Sequence, residues 1–167
     1  MTTEHILQTL DHKKVVGENM AHFISELTKR AVVHDFSKFS EKEAPYFDRV
    51  ILRLRNTTYG SPEYKTLLEE LKPALENHYA SNSHHPEHYE NGVQDMDLLD
   101  LIEMVADWMA AVKRHVDGDI YASLIHNSKR FNIPHALMCV IENTVRRFNN
   151  DNESERIFKP RSQTDNE

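Results

Sequence analysis

The chain has 167 residues, 39% hydrophobic and 28% charged, with a net charge of −7 and one cysteine, Cys139. That length folds as one domain with its own core, and a lone thiol excludes an internal disulfide framework and zinc fingers built on several cysteines, pointing to a reducing cytoplasm. The 27 Asp and Glu against 20 Lys and Arg exclude a broad surface for extended nucleic acid, and the lack of any long apolar run predicts neither a signal peptide nor a membrane span.

Four glycines are too few for the repeated tight turns of an all-β domain, and the apolar spacing is helical nearly throughout. An all-α domain over residues 1–148 is expected, followed by an aperiodic, mobile tail over 149–167. The first helix runs from Thr3 to about Leu27, with Ile6, Leu10, Val16, Met20, Phe23 and Leu27 as its buried stripe. A short segment, Thr28 to Val33, then leads into His34-Asp35-Phe36-Ser37-Lys38. Ser40 and Glu43 read as a capping box for a helix to about Leu54. Ser61-Pro62-Glu63 starts the next helix, which Pro73 should kink or restart. After the polar loop 82–88, Asp97 to about Val116 is the most apolar helix, with Leu98, Leu101, Ile102, Val105, Trp108, Met109 and Val112 as its main stripe. Helices over Asp119–Arg130 and Pro134–Phe148 complete the domain.

Eleven histidines stand out, four of them between positions 78 and 88. His12 falls on the stripe of the first helix, and His78 follows Leu71 and Leu75 on its own; both are expected in the interior. Taken singly, such a histidine is most often a core residue bonded to a carbonyl. Two of them, with the His34-Asp35 pair and the loop His84-His85-Pro86-Glu87-His88, change the reading, because imidazole and carboxylate are the ligands of Mn, Fe, Co, Ni and Zn.

His12, His34-Asp35, and Asp107 within Val105-Ala106-Asp107-Trp108 resemble the H…HD…D signature of the HD superfamily of metal-dependent phosphohydrolases. The doublet is followed three residues later by Lys38, and Asp107 lies in a VAD context followed by alanines, as in that superfamily. His78 and the His84-His85 pair resemble the extra histidines of members that bind two or three ions; among the loop histidines, His84 and His85 are favoured over His88. The match covers about positions 12 to 111. No GYP motif follows His85, so specificity for cyclic di-GMP is not implied. The pattern HD-x-SK, a lone His, N-x-HHPEH and EM-x-x-DW also resembles a small bacterial and phage domain family of unassigned function.

The resemblance implies an HD-like bundle of about six to seven helices around a metal site. His12, His34, Asp35 and Asp107 would hold one divalent transition metal ion, and His78 with His84 or His85 a second, bridged by Asp35. The implied activity is hydrolysis of a phosphoester in a small phosphorylated molecule, a nucleotide foremost, by metal-bound hydroxide. Lys38 reads as a donor to a substrate phosphate or as a partner of Asp35, and Glu87 as an acid beside the site or an exposed loop residue. Asp100 and Glu103 read as surface charge ahead of partners that orient the histidines. A di-iron oxygenase and a non-catalytic, metal-stabilised binding module stay open, as does a homo-oligomer.

Overall fold

The computed structural model describes residues 2–57, 61–114 and 118–149, and these are all-α. Six helices appear among them: α1 (Thr3–Val33), α2 (Ala44–Arg55), α3 (Pro62–Ser81), α4 (Leu98–Val112), α5 (Ile120–Arg130) and α6 (His135–Asn149). Three single 3-10 turns, Phe36–Phe39, Pro86–His88 and Gly92–Gln94, lie between them. The expected tail lies outside the described residues, apart from Asn149. No helix is long and apolar enough to cross a membrane.

Local chemistry sets the helix starts. The Thr2, Ser61 and Asp119 side chains accept backbone N–H bonds from His5, Tyr64 and Tyr121, each satisfying a donor that the first turn leaves unpaired. Asp97 and Asp100 form a reciprocal capping box at α4. At the other end of α4 the chain passes close by. A Cβ at Gly118 would lie 1.8 Å from the Val112 carbonyl oxygen, so only glycine fits.

Two apolar cores flank the middle of the molecule. The larger joins α4, α5 and α6 through Met104, Trp108, Leu124, Met138, Ile141 and Val145; Trp108 packs within it, its ring stacked on Phe131. The smaller joins α2 and α3 through Val50, Leu67 and Leu71. The C-terminal end of α1 lies against α4, and the turn Phe36–Phe39 and the histidine-rich loop sit against α3, so the functional residues lie between the cores.

Three sequence expectations change. α1 does not stop near Leu27 but continues to Val33, and none of its residues is buried. Its apolar stripe is exposed, Leu10 by 54%. Helical periodicity shows that a face is apolar, and it does not show that anything covers that face. α3 runs through Pro73 without a break, which keeps Leu67, Leu71, Ala74 and His78 on one buried stripe. α4 is rotated from the expected stripe: Asp100, Met104, Val105 and Trp108 are buried, whereas Leu98 and Ile102 are exposed. The side of Asp100 and Met104 therefore faces inward.

These differences are measurable. Leu71→Ala should lower unfolding stability by about 2–5 kcal/mol, because it opens a cavity at a packed site. Leu10→Ala should change it by no more than about 0.5 kcal/mol. Denaturant unfolding of both variants checks the exposure of α1, and equal losses would mean that its stripe is buried.

Candidate metal centre

Four segments converge on one cluster. His34 caps the end of α1, His78 lies on α3, His84 and His85 precede the turn Pro86–His88, and Asp107 lies on α4. Between α1 and the turn Phe36–Phe39, Asp35 adopts the left-handed conformation (φ 57°, ψ 14°), uncommon for a residue with a Cβ. Consecutive residues of a helix point about 100° apart. The left-handed step breaks that geometry and lets the His34 and Asp35 side chains reach the same cluster. Such backbone strain is concentrated at functional sites.

Two ligand groupings share Asp35. One contains Asp35, His78, His84 and His85, and the other His34, Asp35 and Asp107; within each, the ligand atoms lie within 4.8 Å of one another. In the first, Asp35 Oδ1 lies 3.1 Å from His78 Nε2 and 3.6 Å from His84 Nε2, and the Nε2 atoms of His78 and His85 are 3.0 Å apart. In the second, His34 Nε2 is 3.6 Å from Asp35 Oδ2 and 3.7 Å from Asp107 Oδ1.

Two carboxylates, Glu43 buried and Glu103 partly buried, set the tautomers. Glu43 is 0% exposed; its Oε2 lies 3.0 Å from His78 Nδ1 and accepts from Ser37 Oγ, and its Oε1 accepts from Asn77. Glu103 Oε1 lies 2.8 Å from His34 Nδ1 and 3.1 Å from His84 Nδ1. An ionised carboxylate only accepts, so the proton of each neutral imidazole sits on Nδ1 and the Nε2 lone pair faces the cluster. Arg30 binds Glu103 Oε2 through Nε at 2.7 Å, and through Nη2 it also binds Asp100 and Ser83. Asp100, 2% exposed, accepts further bonds from Ser83 and from Tyr89 at 2.6 Å each. Asp100 and Glu103 are thus partners inside the protein, not surface charge.

Glu43 was missed because Ser40-x-x-Glu43 fits a helix cap. In the structure its side chain makes no cap bond and turns to His78 instead. No local pattern in the sequence connects it to His78, 35 positions on. Arg30 was passed over because Thr28 to Val33 read as a connector, whereas it is the last turn of α1.

His12 is corrected. It is exposed, and on the continuous α1 it lies 22 residues before His34, roughly 33 Å along the axis. It joins neither grouping. Lys38 bonds Asp35 Oδ2 and lies over the Phe47 ring. Glu87 is turned away to Arg130, 2.7 Å distant, and belongs to no ligand grouping. His88 is exposed, its Nδ1 3.0 Å from the Tyr79 carbonyl oxygen.

Burial alone would raise the Asp35 carboxyl, but the Lys38 ammonium bonded to its Oδ2 opposes this, and the carboxyl lies far below the usual carboxylate range. His85 is pushed down to about 3 by burial first and by the neighbouring His84 and His78 second. Asp35 Oδ1 and His84 Nε2 are buried and have no hydrogen-bond partner among the described residues. An anionic oxygen and an imidazole lone pair, buried side by side without a donor, are what a cation satisfies. The donor set of nitrogen and carboxylate oxygen fits a divalent transition metal.

Fold and site together define an all-helical protein with a partly buried histidine and carboxylate cluster. The chain belongs to the Family of unknown function (DUF5662), whose model matches residues 1–154. No curated protein and no solved structure matches it.

The cluster predicts a pH dependence for the metal-free protein. The folded state holds the His85 pKa at about 3, against 6.5 ordinarily, so the unfolded chain takes up that proton first. The stability this contributes is complete above 6.5 and is lost as the pH falls toward 3. Asp35, also lowered, adds a loss below its ordinary 3.8. Calorimetric melting midpoints should fall steadily from pH 7 to pH 4, and His85→Gln should flatten that slope; an unchanged slope would contradict a buried, neutral His85.

Proposed function

We propose that this chain is a metal-dependent phosphohydrolase acting on a small phosphorylated molecule, a nucleotide foremost. The observation that carries the reading is the pair of buried, unpartnered atoms Asp35 Oδ1 and His84 Nε2 at the meeting point of the two ligand groupings. His78, His84, His85 and Asp35 would hold one ion, and His34, Asp35 and Asp107 another. Ions bound there supply a water of lowered pKa and neutralise charge on phosphoryl oxygens. The chain's own contribution is to hold three imidazoles in one tautomer through Glu43 and Glu103, and to keep Asp35 ionised. Lys38 is the mobile cation of the site: its flexible stem can exchange Asp35 for a phosphate oxygen. The resemblance of the H…HD…D pattern to the HD superfamily supports the reaction class, and the displaced His12 leaves that pattern one ligand short within this chain. The lone thiol supports a cytoplasmic setting.

The test is a screen of the full chain, supplemented with Mn, Fe, Co, Ni or Zn, against nucleotides, cyclic nucleotides and sugar phosphates. Phosphate release is expected. Asp35→Asn, which tolerates the left-handed backbone, should reduce it by about a hundredfold or more, whereas His88→Ala should retain most of it. Glu103→Gln should weaken metal affinity by about 10–100-fold through misorientation of His34 and His84. Iron-dependent oxygen uptake without phosphate release would assign the centre to oxygen activation instead.

A further inference from the structure

We infer that the cluster fills in a fixed order: the first and tighter ion enters the grouping of Asp35, His78, His84 and His85, and the His34, Asp35 and Asp107 position fills second, once Lys38 has left Asp35. This rests on the metal reading above, and the order is opposite to the one that the H…HD…D pattern suggests.

Three differences between the positions carry it. The first is ligand number. The His78 grouping offers four ligand atoms, enough for a closed tetrahedral set, whereas the His34 grouping offers three because His12 lies far along α1. The second is the state of the shared carboxylate. Asp35 Oδ1, aimed at His78 and His84, is buried with no hydrogen-bond partner, whereas Oδ2, on the His34 side, is bonded to the Lys38 ammonium. An ion entering on the Oδ1 side displaces only the hydrogen bond between His78 and His85, whereas one entering on the Oδ2 side must displace a cation. The third is burial. His78 and His84 are each 2% exposed, and His78 is clamped by Glu43 deep between α2 and α3. Two of its four ligands are therefore shielded from water and already oriented, whereas none of the three in the His34 grouping is buried, so less ordering opposes binding at the first. Loss of the Lys38 bond on filling the second position also frees that ammonium when both ions are present, which couples full loading to the availability of a phosphate-binding cation.

The test is Co(II) titration of the chelator-treated full chain, followed by calorimetry and visible absorption, for the parent, Asp107→Asn, His85→Gln and Lys38→Met. The parent should bind in two steps, the first with the intense absorption of tetrahedral cobalt. Asp107→Asn should keep the first step and lose the second. His85→Gln should weaken the first by about tenfold or more. Lys38→Met should tighten the second and leave the first unchanged. If His85→Gln does not fold by circular dichroism, Asp107→Asn and Lys38→Met decide the order between them. Loss of the tight step in Asp107→Asn, or a Lys38→Met that alters the tight step alone, would overturn the order and leave the metal centre standing. A folded parent that binds no cobalt would overturn the centre itself, and the order with it.

Discussion

The Arg30 guanidinium is what allows two carboxylates to lie inside the protein three residues apart on one helix. Asp100 and Glu103 would repel each other and resist removal from water, and a buried carboxylate stays ionised only when paired and hydrogen-bonded. Arg30 bonds both, and with Ser83 it ties the last turn of α1 to the histidine-rich loop and to α4. A lysine, with one point charge, does not span the same set in one plane. With Oε2 held by Arg30, Glu103 presents its other oxygen to the Nδ1 atoms of His34 and His84, and the orientation of two imidazoles follows from one ion pair.

Glu43 does the same for His78 from the other side of the cluster, without an arginine; Ser37 and Asn77 supply its hydrogen bonds. The centre is thus built between two apolar cores with two carboxylates bonded to the Nδ1 side of its imidazoles. Their role is to place protons on the far nitrogens and leave the near ones as lone pairs. Asp35, held ionised among them, is the one residue that both ligand groupings share.

Much of this was legible in the sequence, for physical reasons. Scarce glycine and helical spacing gave the all-α class, and Ser61, Asp97 and Asp119 gave helix starts that the structure places at the expected residues or one beyond. His78 was legible because its stripe on α3 also carries Leu67 and Leu71, which α2 covers. His12 shows the limit of the same argument. Its stripe is as periodic, but nothing within the described residues packs on that half of α1. Periodicity reports a face, and tertiary contact decides its environment. Glu43 and Arg30 were hidden for a different reason: a cap motif and a connector were sufficient local accounts of residues whose partners are 35 and 70 or more positions away.

The left-handed backbone at Asp35 has a consequence for the mutational tolerance of this chain. The position sets three demands at once: a conformation that few side chains accept, a full negative charge, and a reach of one methylene from the backbone. Glycine meets the first alone, asparagine the first and third, and glutamate the second. Aspartate alone satisfies all three, so a drifting sequence would have no neutral neighbour to visit there, and the codon should stand fixed while the exposed stripe a few turns upstream is free to wander.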